Sequence, residues 1–146
     1  MIAERKKSPL RLLAAVLLAV ALLTACTSRA AKAVEKVDLG QKYLTEQNYT
    51  EAVASFTEAI GLDPENIPAY MGRAEAYVAL KQYDDAKADY TTAIEKTEDQ
   101  PYMQAEAYIG RAEVNELTTD NEDALSDYES ASTALDKVDV EKITDV

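Results

Sequence analysis

The side chains in this sequence that could support chemistry are mainly carboxylates and phenols. The chain has 27 Asp and Glu residues, nine Tyr, one Cys and no His. Catalytic bases and activated nucleophiles usually depend on a His or on a positioned thiol or hydroxyl. Neither a glycine-rich phosphate loop nor a nucleophile elbow is present, and neighbouring carboxylates mean little in so acidic a chain. The sequence therefore predicts a protein that is not an enzyme and that uses no cofactor.

One carboxylate cluster has the ligand type of a metal site: Asp120, Glu122 and Asp123. It lacks the alternating oxygen ligands, the glycine and the distal glutamate of a calcium loop. Asp84 and Asp85 lie 38 positions before Glu122 and Asp123, and each pair stands at the start of a helical pattern. Acidic residues at a helix start interact favourably with the helix dipole. We therefore predict helix starts here and no metal site.

The single thiol follows a leader-like segment. Residues 1–11 are basic, and an unbroken apolar run covers residues 12–23. A run this short, followed by small residues, is typical of a secretory signal rather than of a membrane span of about 20 residues. The next residues, Leu23-Thr24-Ala25-Cys26, resemble the lipobox of bacterial lipoproteins.

That resemblance implies that residues 1–25 are a signal peptide and that Cys26 carries the lipid. Residues 26–32 would then be the lipidated N-terminus and a short tether, holding the protein on the membrane of the cell envelope, outside the cytoplasm. Two or three acyl chains anchor firmly, whereas one binds only marginally. The alternative is an uncleaved signal anchor with an incidental thiol.

Charge limits the partners. The chain carries −12 overall, and residues 1–25 contribute +3, so the remainder carries −15. Such a surface repels nucleic acid and favours cationic partners, so we predict no nucleic-acid binding. Arg29, Lys32 and Lys36 lie next to the proposed anchor. They fit equally well as contacts to anionic headgroups and as ordinary solvated charges.

Small and aromatic residues recur with a constant offset of 34. The first set is Gly40, Tyr43, Tyr49, Ala52, Phe56 and Ala59, and the second is Ala74, Tyr77, Tyr83, Ala86, Tyr90 and Ala93. A third set, Ala112, Ala124, Tyr128 and Ala131, follows with an offset of 38. Each set has the spacing of one helix face. Small residues allow two antiparallel helices to pack closely.

This period and pattern resemble the tetratricopeptide repeat. The resemblance implies an all-α, right-handed solenoid of three helix–turn–helix repeats at residues 33–66, 67–100 and 105–138, within a repeat region of 33–138. Eight of the nine tyrosines fall at equivalent repeat positions, with Tyr102 outside the scheme. We therefore favour a structural role for them over a sugar-stacking platform.

First helices of this family line a concave surface, so the resemblance also implies a binding groove. Its predicted residues form an apolar strip edged with carboxylates: Val37, Gln41, Leu44, Met71, Glu75, Val78, Glu106, Ile109, Glu113 and Glu116. Chaperone-binding members clamp a peptide carboxylate with Lys, Asn and Arg. The matching positions here are Val37, Gln41, Gly72, Glu106 and Gly110, so we expect no such clamp. A protein or peptide with apolar anchors and basic flanks fits better.

The last residues, 139–146, leave two alternatives open. Val138, Val140 and Ile143 either fold over the final helix as a short cap, or that helix exposes apolar surface for self-association or another partner.

Together these features predict a membrane-anchored, non-enzymatic adaptor or assembly factor of the bacterial cell envelope. The alternative is a ligand-binding subunit that holds a free peptide or small molecule in the groove.

Overall fold

The computed structural model describes residues 28–138. Six helices follow one another, and no strand occurs between residues 28 and 138. They are α1 (28–45), α2 (Tyr49–Leu62), α3 (Ile67–Ala79), α4 (Tyr83–Lys96), α5 (Pro101–Leu117) and α6 (Asn121–Asp136). The helical part of the fold prediction is confirmed. The predicted leader, Cys26 and the tail at 139–146 lie outside the described residues.

The helix starts follow from local sequence. The side chain of Asn66 accepts a hydrogen bond from the Ala69 amide, and a proline occupies the first turn of α3, so this helix start is capped. Pro101 is the first residue of α5, where its missing amide hydrogen costs no helix hydrogen bond. Asp84 and Asp85, like Glu122 and Asp123, lie in the first turns of α4 and α6, where carboxylates favour the helix dipole.

The three turns inside the hairpins share one geometry. Gln47, Lys81 and Thr119 each adopt a left-handed backbone conformation, with φ of 60°, 60° and 65°. In each turn, the backbone amide of the next residue donates a hydrogen bond to the carbonyl five positions before it. In the second turn, the Gln82 amide donates to the Tyr77 carbonyl at 2.8 Å. This bond pattern satisfies carbonyls that a helix end leaves without partners. The offsets between the three turns are again 34 and 38 residues, so the repeat extends to the backbone.

Small residues form the helix crossings, as predicted. Ala52, Ala74, Ala86 and Ala112 are fully buried, and Ala124 is nearly so. The rings fill the space beside them. Six tyrosines belong to or pack against the buried apolar clusters, namely Tyr43, Tyr70, Tyr77, Tyr83, Tyr90 and Tyr108. The structural role predicted for eight tyrosines is confirmed for these six, whereas Tyr49 and Tyr128 belong to none of these clusters. Tyr102, outside the repeat scheme, is exposed.

One aromatic position couples each repeat to the next. Phe56 of α2 is fully buried between two glycines. A Cβ added to Gly40 of α1 would lie 2.7 Å from its Cε1 atom, and one added to Gly72 of α3 would lie 2.4 Å from its Cζ atom. These glycines therefore give the ring its space. Phe56 thereby joins the first hairpin to the second.

Candidate functional site

A cavity of about 160 Å³ opens between α3 and α5. Glu75 and Val78 line it from α3, and Tyr90 of α4 forms its floor. Residues from α5 complete the wall: Gly110, Glu113, Val114 and Leu117. The site therefore combines apolar walls with two carboxylates from different repeats.

The floor depends on a close contact between Tyr90 and Gly110. A Cβ added to Gly110 would lie 2.4 Å from the Tyr90 Cε1 atom and 2.9 Å from its hydroxyl oxygen. The ring is only 6% exposed. Tyr90 holds the same repeat position as Phe56, so it packs against the next repeat in the same way but also carries a hydroxyl.

The charges around this cavity are negative. Burial raises the pKa of Glu75, and the neighbouring Glu113 raises it further. Burial also raises the pKa of Tyr90, with smaller contributions from Glu75 and Glu113. Between residues 28 and 138 neither glutamate forms a salt bridge. The cavity therefore holds negative charge that no cation of the described chain neutralises.

The ten predicted groove residues do not all meet at one place. Glu75, Val78 and Glu113 line the cavity. Val37, Leu44 and Met71 are half-buried and pack against the apolar clusters between helices. The remaining four, like the cavity-lining Glu75 and Glu113, are exposed: Gln41, Glu106, Ile109 and Glu116. The structure therefore brings together the carboxylates of α3 and α5, while much of the predicted apolar strip contributes to helix packing.

Two buried ion pairs are features that sequence reasoning missed. The Arg73 guanidinium donates from Nε and Nη2 to the Asp89 carboxylate at 2.7 and 2.8 Å, and from Nη1 to Thr57 at 3.0 Å. Arg111 contacts Asp127 and Thr91 in the same manner. Both arginines also lie over tyrosine rings, and the paired carboxylates raise their pKa values. Each pair therefore fastens one hairpin and ties it to the helix before it.

Asp120, one of the three carboxylates considered as metal ligands, forms hydrogen bonds within the protein. Asp120 accepts hydrogen bonds from Lys87 at 2.6 Å and from Thr118 at 2.8 Å, and this pairing lowers its pKa. Among the described residues, no group of three or more potential ligands could hold a metal ion. Asp120 thus links α4 to the turn between α5 and α6.

A larger polar cavity of about 370 Å³ lies beside the Arg111–Asp127 pair. Its charged lining includes Lys87, Arg111 and Asp127, which are already paired with described residues. None of the ten predicted groove residues lines it. It is therefore a weaker candidate for a binding site than the cavity between α3 and α5.

The basic residues near the first helix are partly used within the protein. Arg29 donates to the Gly61 carbonyl at 2.9 Å, and Lys36 pairs with Glu58 at 2.7 Å. Residues 28–32, assigned to the tether from the sequence, already belong to α1. No helix in the region from 28 to 138 is long and apolar enough to span a membrane.

The outer face of α6 exposes three large apolar side chains. Leu125, Tyr128 and Leu135 are all at least one-third exposed. Tyr128 has the repeat position of Phe56 and Tyr90, but no described helix follows to cover its ring. A cap formed by residues 139–146 and contact with a second copy both stay predictions.

Comparison with known proteins agrees with this architecture. The family model described as "Tetratricopeptide repeat" matches residues 43–107. The chain is 31% identical to the TPR2B domain of yeast Sti1, whose structure is titled as a complex with pHsp70. The match covers 74% of this chain and 83% of that domain, with a TM-score of 0.68. The chain belongs to the tetratricopeptide repeat family.

Other tetratricopeptide repeat proteins are similar over shorter or comparable regions. The second TPR of Spaghetti (RPAP3), solved with the HSP90 peptide SRMEEVD, is 25% identical, covering 76% of this chain and 98% of that one, with a TM-score of 0.68. The small glutamine-rich tetratricopeptide repeat-containing protein beta of Rattus norvegicus is 44% identical over 55 residues. That match covers 38% of this chain and 18% of the relative's length. The chain thus matches a repeat-containing part of that relative.

Proposed function

We propose that this protein is a membrane-anchored adaptor or assembly factor of the bacterial cell envelope, which holds a protein or peptide partner on the surface formed by α1, α3 and α5. The observation that carries the binding part of the proposal is the pair of carboxylates, Glu75 and Glu113, which line one mostly apolar cavity and form no salt bridge among the described residues. Exposed Glu106 and Glu116 extend the negative charge along α5. A partner with basic residues beside an apolar anchor complements this surface.

The partners named for the similar structures have the opposite character. The peptide SRMEEVD carries three acidic side chains and one basic one. Like charges placed together across an interface cost several kcal/mol. Glutamates, rather than the basic clamp of the chaperone-binding members, line the surface here. We therefore propose a cationic partner and do not transfer the chaperone-tail ligand to this chain.

The alternative of a small-molecule carrier receives less support. Small-molecule pockets usually measure about 300–1,000 Å³, and the cavity between α3 and α5 measures about 160 Å³. It has room for one side chain of a longer ligand, which favours a protein or peptide.

Capture in intact cells tests the binding proposal. A photo-crosslinking amino acid is placed at Ile109, which is exposed on α5 beside the cavity, and crosslinked proteins are identified by mass spectrometry. The matched control places the same amino acid at Ala88, an exposed residue of α4. We expect the crosslinker at Ile109 to capture one discrete partner protein and the crosslinker at Ala88 not to capture that protein. Equal capture from both positions would count against a binding surface on the first helices.

The membrane anchor is proposed from the sequence at Cys26 and is tested separately. Replacing Cys26 with serine removes the only thiol of the chain, so no acyl chain can be attached there. We expect the wild-type protein to incorporate labelled palmitate and the variant to incorporate none, because the variant lacks the acceptor. Equal labelling of both proteins would refute the lipobox assignment.

A further inference from the structure

The polar groups that line the cavity between α3 and α5 are of the kinds that accept hydrogen bonds from a primary ammonium group. Two carboxylates face the cavity from different helices, and a phenol oxygen lies at its floor. Carboxylates are acceptors only, and a hydroxyl can also accept. An ammonium group has three N–H donors, so it could donate one to each of Glu75, Glu113 and Tyr90.

The Tyr90 hydroxyl is the observation that separates this site from an ordinary acidic patch. The side chain is more than nine-tenths buried, and its oxygen lies directly over Gly110 at the cavity floor. No hydrogen bond joins it to another described group, and no fully buried side-chain oxygen within residues 28–138 lacks a partner, so this hydroxyl is open to the cavity rather than enclosed in the core. Phe56 fills the equivalent position of the preceding repeat without a hydroxyl. Packing therefore requires the ring, while the hydroxyl remains available to a ligand.

The nearest arginines of the same helices cannot supply the missing positive charge. Arg73 of α3 is held by Asp89, and Arg111 of α5 is held by Asp127, each through two hydrogen bonds. A cation for Glu75 and Glu113 must therefore come from elsewhere than these two residues.

The volume and the apolar walls of the cavity suit a lysine side chain. Its volume of about 160 Å³ equals roughly five water molecules at about 30 Å³ each. A lysine side chain has five non-hydrogen atoms, four of them apolar methylenes. Val78, Val114 and Leu117 would contact the methylenes, as apolar surfaces commonly do with lysine stems.

We propose that this cavity is a subsite for one lysine side chain of the partner, with the ammonium group bound by Glu75, Glu113 and the Tyr90 hydroxyl. This inference rests on the proposed function and specifies the chemistry that the surface recognises. The aliphatic stem passes between α3 and α5, and the charge is neutralised at the floor.

The test uses the purified full chain in a mild non-ionic detergent and a short capped probe peptide, Ala-Leu-Ser-Lys-Ser-Leu-Ala. A second probe replaces its lysine with norleucine, which keeps the aliphatic chain but removes the ammonium. The nitrogen–proton resonance of Gly110 reports occupancy of the cavity floor. We expect the lysine peptide to shift this resonance and to bind about tenfold more tightly than the norleucine peptide.

Three variants assign the effect to the cavity. Glu75→Gln should lower the affinity for the lysine peptide to that for the norleucine peptide. Tyr90→Phe, which keeps the ring, should weaken lysine-peptide binding about fivefold. Glu95→Gln is the matched control, because Glu95 is an exposed residue of α4 that does not line the cavity, and it should change the affinity less than twofold.

Equal affinity for the two probes, no binding at millimolar concentration, or an unaltered Gly110 resonance would overturn the lysine subsite. A partner captured from Ile109 in cells whose binding is unchanged by Glu75→Gln would also overturn it, while the proposed function would stand. Conversely, lysine-peptide binding without any captured protein would contradict the proposed function and leave the subsite supported.

Discussion

Replacing Asp89 with alanine is expected to lower the free energy of unfolding by about 3–5 kcal/mol, the usual effect of removing one partner of a buried ion pair. The Asp89 side chain is 8% exposed and Arg73 is 17% exposed. Without Asp89, the guanidinium would keep only its hydrogen bond to Thr57 and would lie half-buried without a counter-ion. Urea denaturation followed by circular dichroism measures the change.

The matched control for this prediction is Glu58→Ala. Glu58 pairs with Lys36 at the same 2.7 Å distance, but its side chain is 59% exposed. Exposed pairs contribute only about 0–1 kcal/mol because water and salt screen them. A second comparison replaces both Arg73 and Asp89 with apolar residues, which should recover much of the lost stability. Losses of similar size for Asp89→Ala and Glu58→Ala would show that the buried pair has no special role.

Replacing Phe56 with alanine is the second change with a large expected effect. The ring is fully buried between Gly40 and Gly72, so its removal leaves a cavity where the first repeat meets the second. Deleting such a ring costs about 3–5 kcal/mol. Since each repeat of a solenoid is stabilised mainly by its neighbour, we expect the first hairpin to become the least protected part of the fold in hydrogen exchange.

Tyr128→Ala provides the control for Phe56, because it removes a ring at the same repeat position. Tyr128 is 36% exposed and no described helix covers it. We expect a loss well below that for Phe56, on the order of 1 kcal/mol, because less apolar surface leaves water. Equal losses for the two variants would contradict the view that this position couples successive repeats.

The sequence predicted the helices well because the relevant signals are local. The small residues at offsets of 34 and 38 indicated the hairpins, and Asn66 and Pro101 lie at the starts of α3 and α5, where these residue types are common. These signals depend on spacing and on a single cap or proline. They need no knowledge of how distant helices pack.

The ion pairs and the cavity could not be predicted in the same way. Asp89 is one of 27 acidic residues, so charge alone does not reveal that it pairs with Arg73, sixteen positions earlier. One signal was present: Arg73 and Asp89 are followed at the same offset of 38 by Arg111 and Asp127. The Tyr90 hydroxyl lines the cavity because α4 packs against both α3 and α5. No sequence pattern indicates how these three helices pack together.

For the predicted groove residues, the sequence likewise identified the helix that carries each residue but not its burial. The sequence assigned residues such as Val37, Met71 and Glu75 to first helices, but not how deeply each would be buried. In the structure Val37 and Met71 contribute to the packing between helices, whereas Glu75 faces the cavity. Burial depends on the rotation of each helix against its neighbours, which a single sequence does not specify.

In the proposed function, negative charge on the first helices captures the partner, and charge reversal at Glu75, Glu106 and Glu113 tests this most directly. The three lysine substitutions are introduced together into the chain that carries the crosslinker at Ile109, and capture is measured in intact cells. The control reverses three exposed carboxylates elsewhere, Glu95, Glu98 and Glu129, which changes the net charge equally. We predict that the first variant loses the crosslinked partner while the control retains it, both keeping the helical circular-dichroism spectrum; undiminished capture by the first variant would contradict the account.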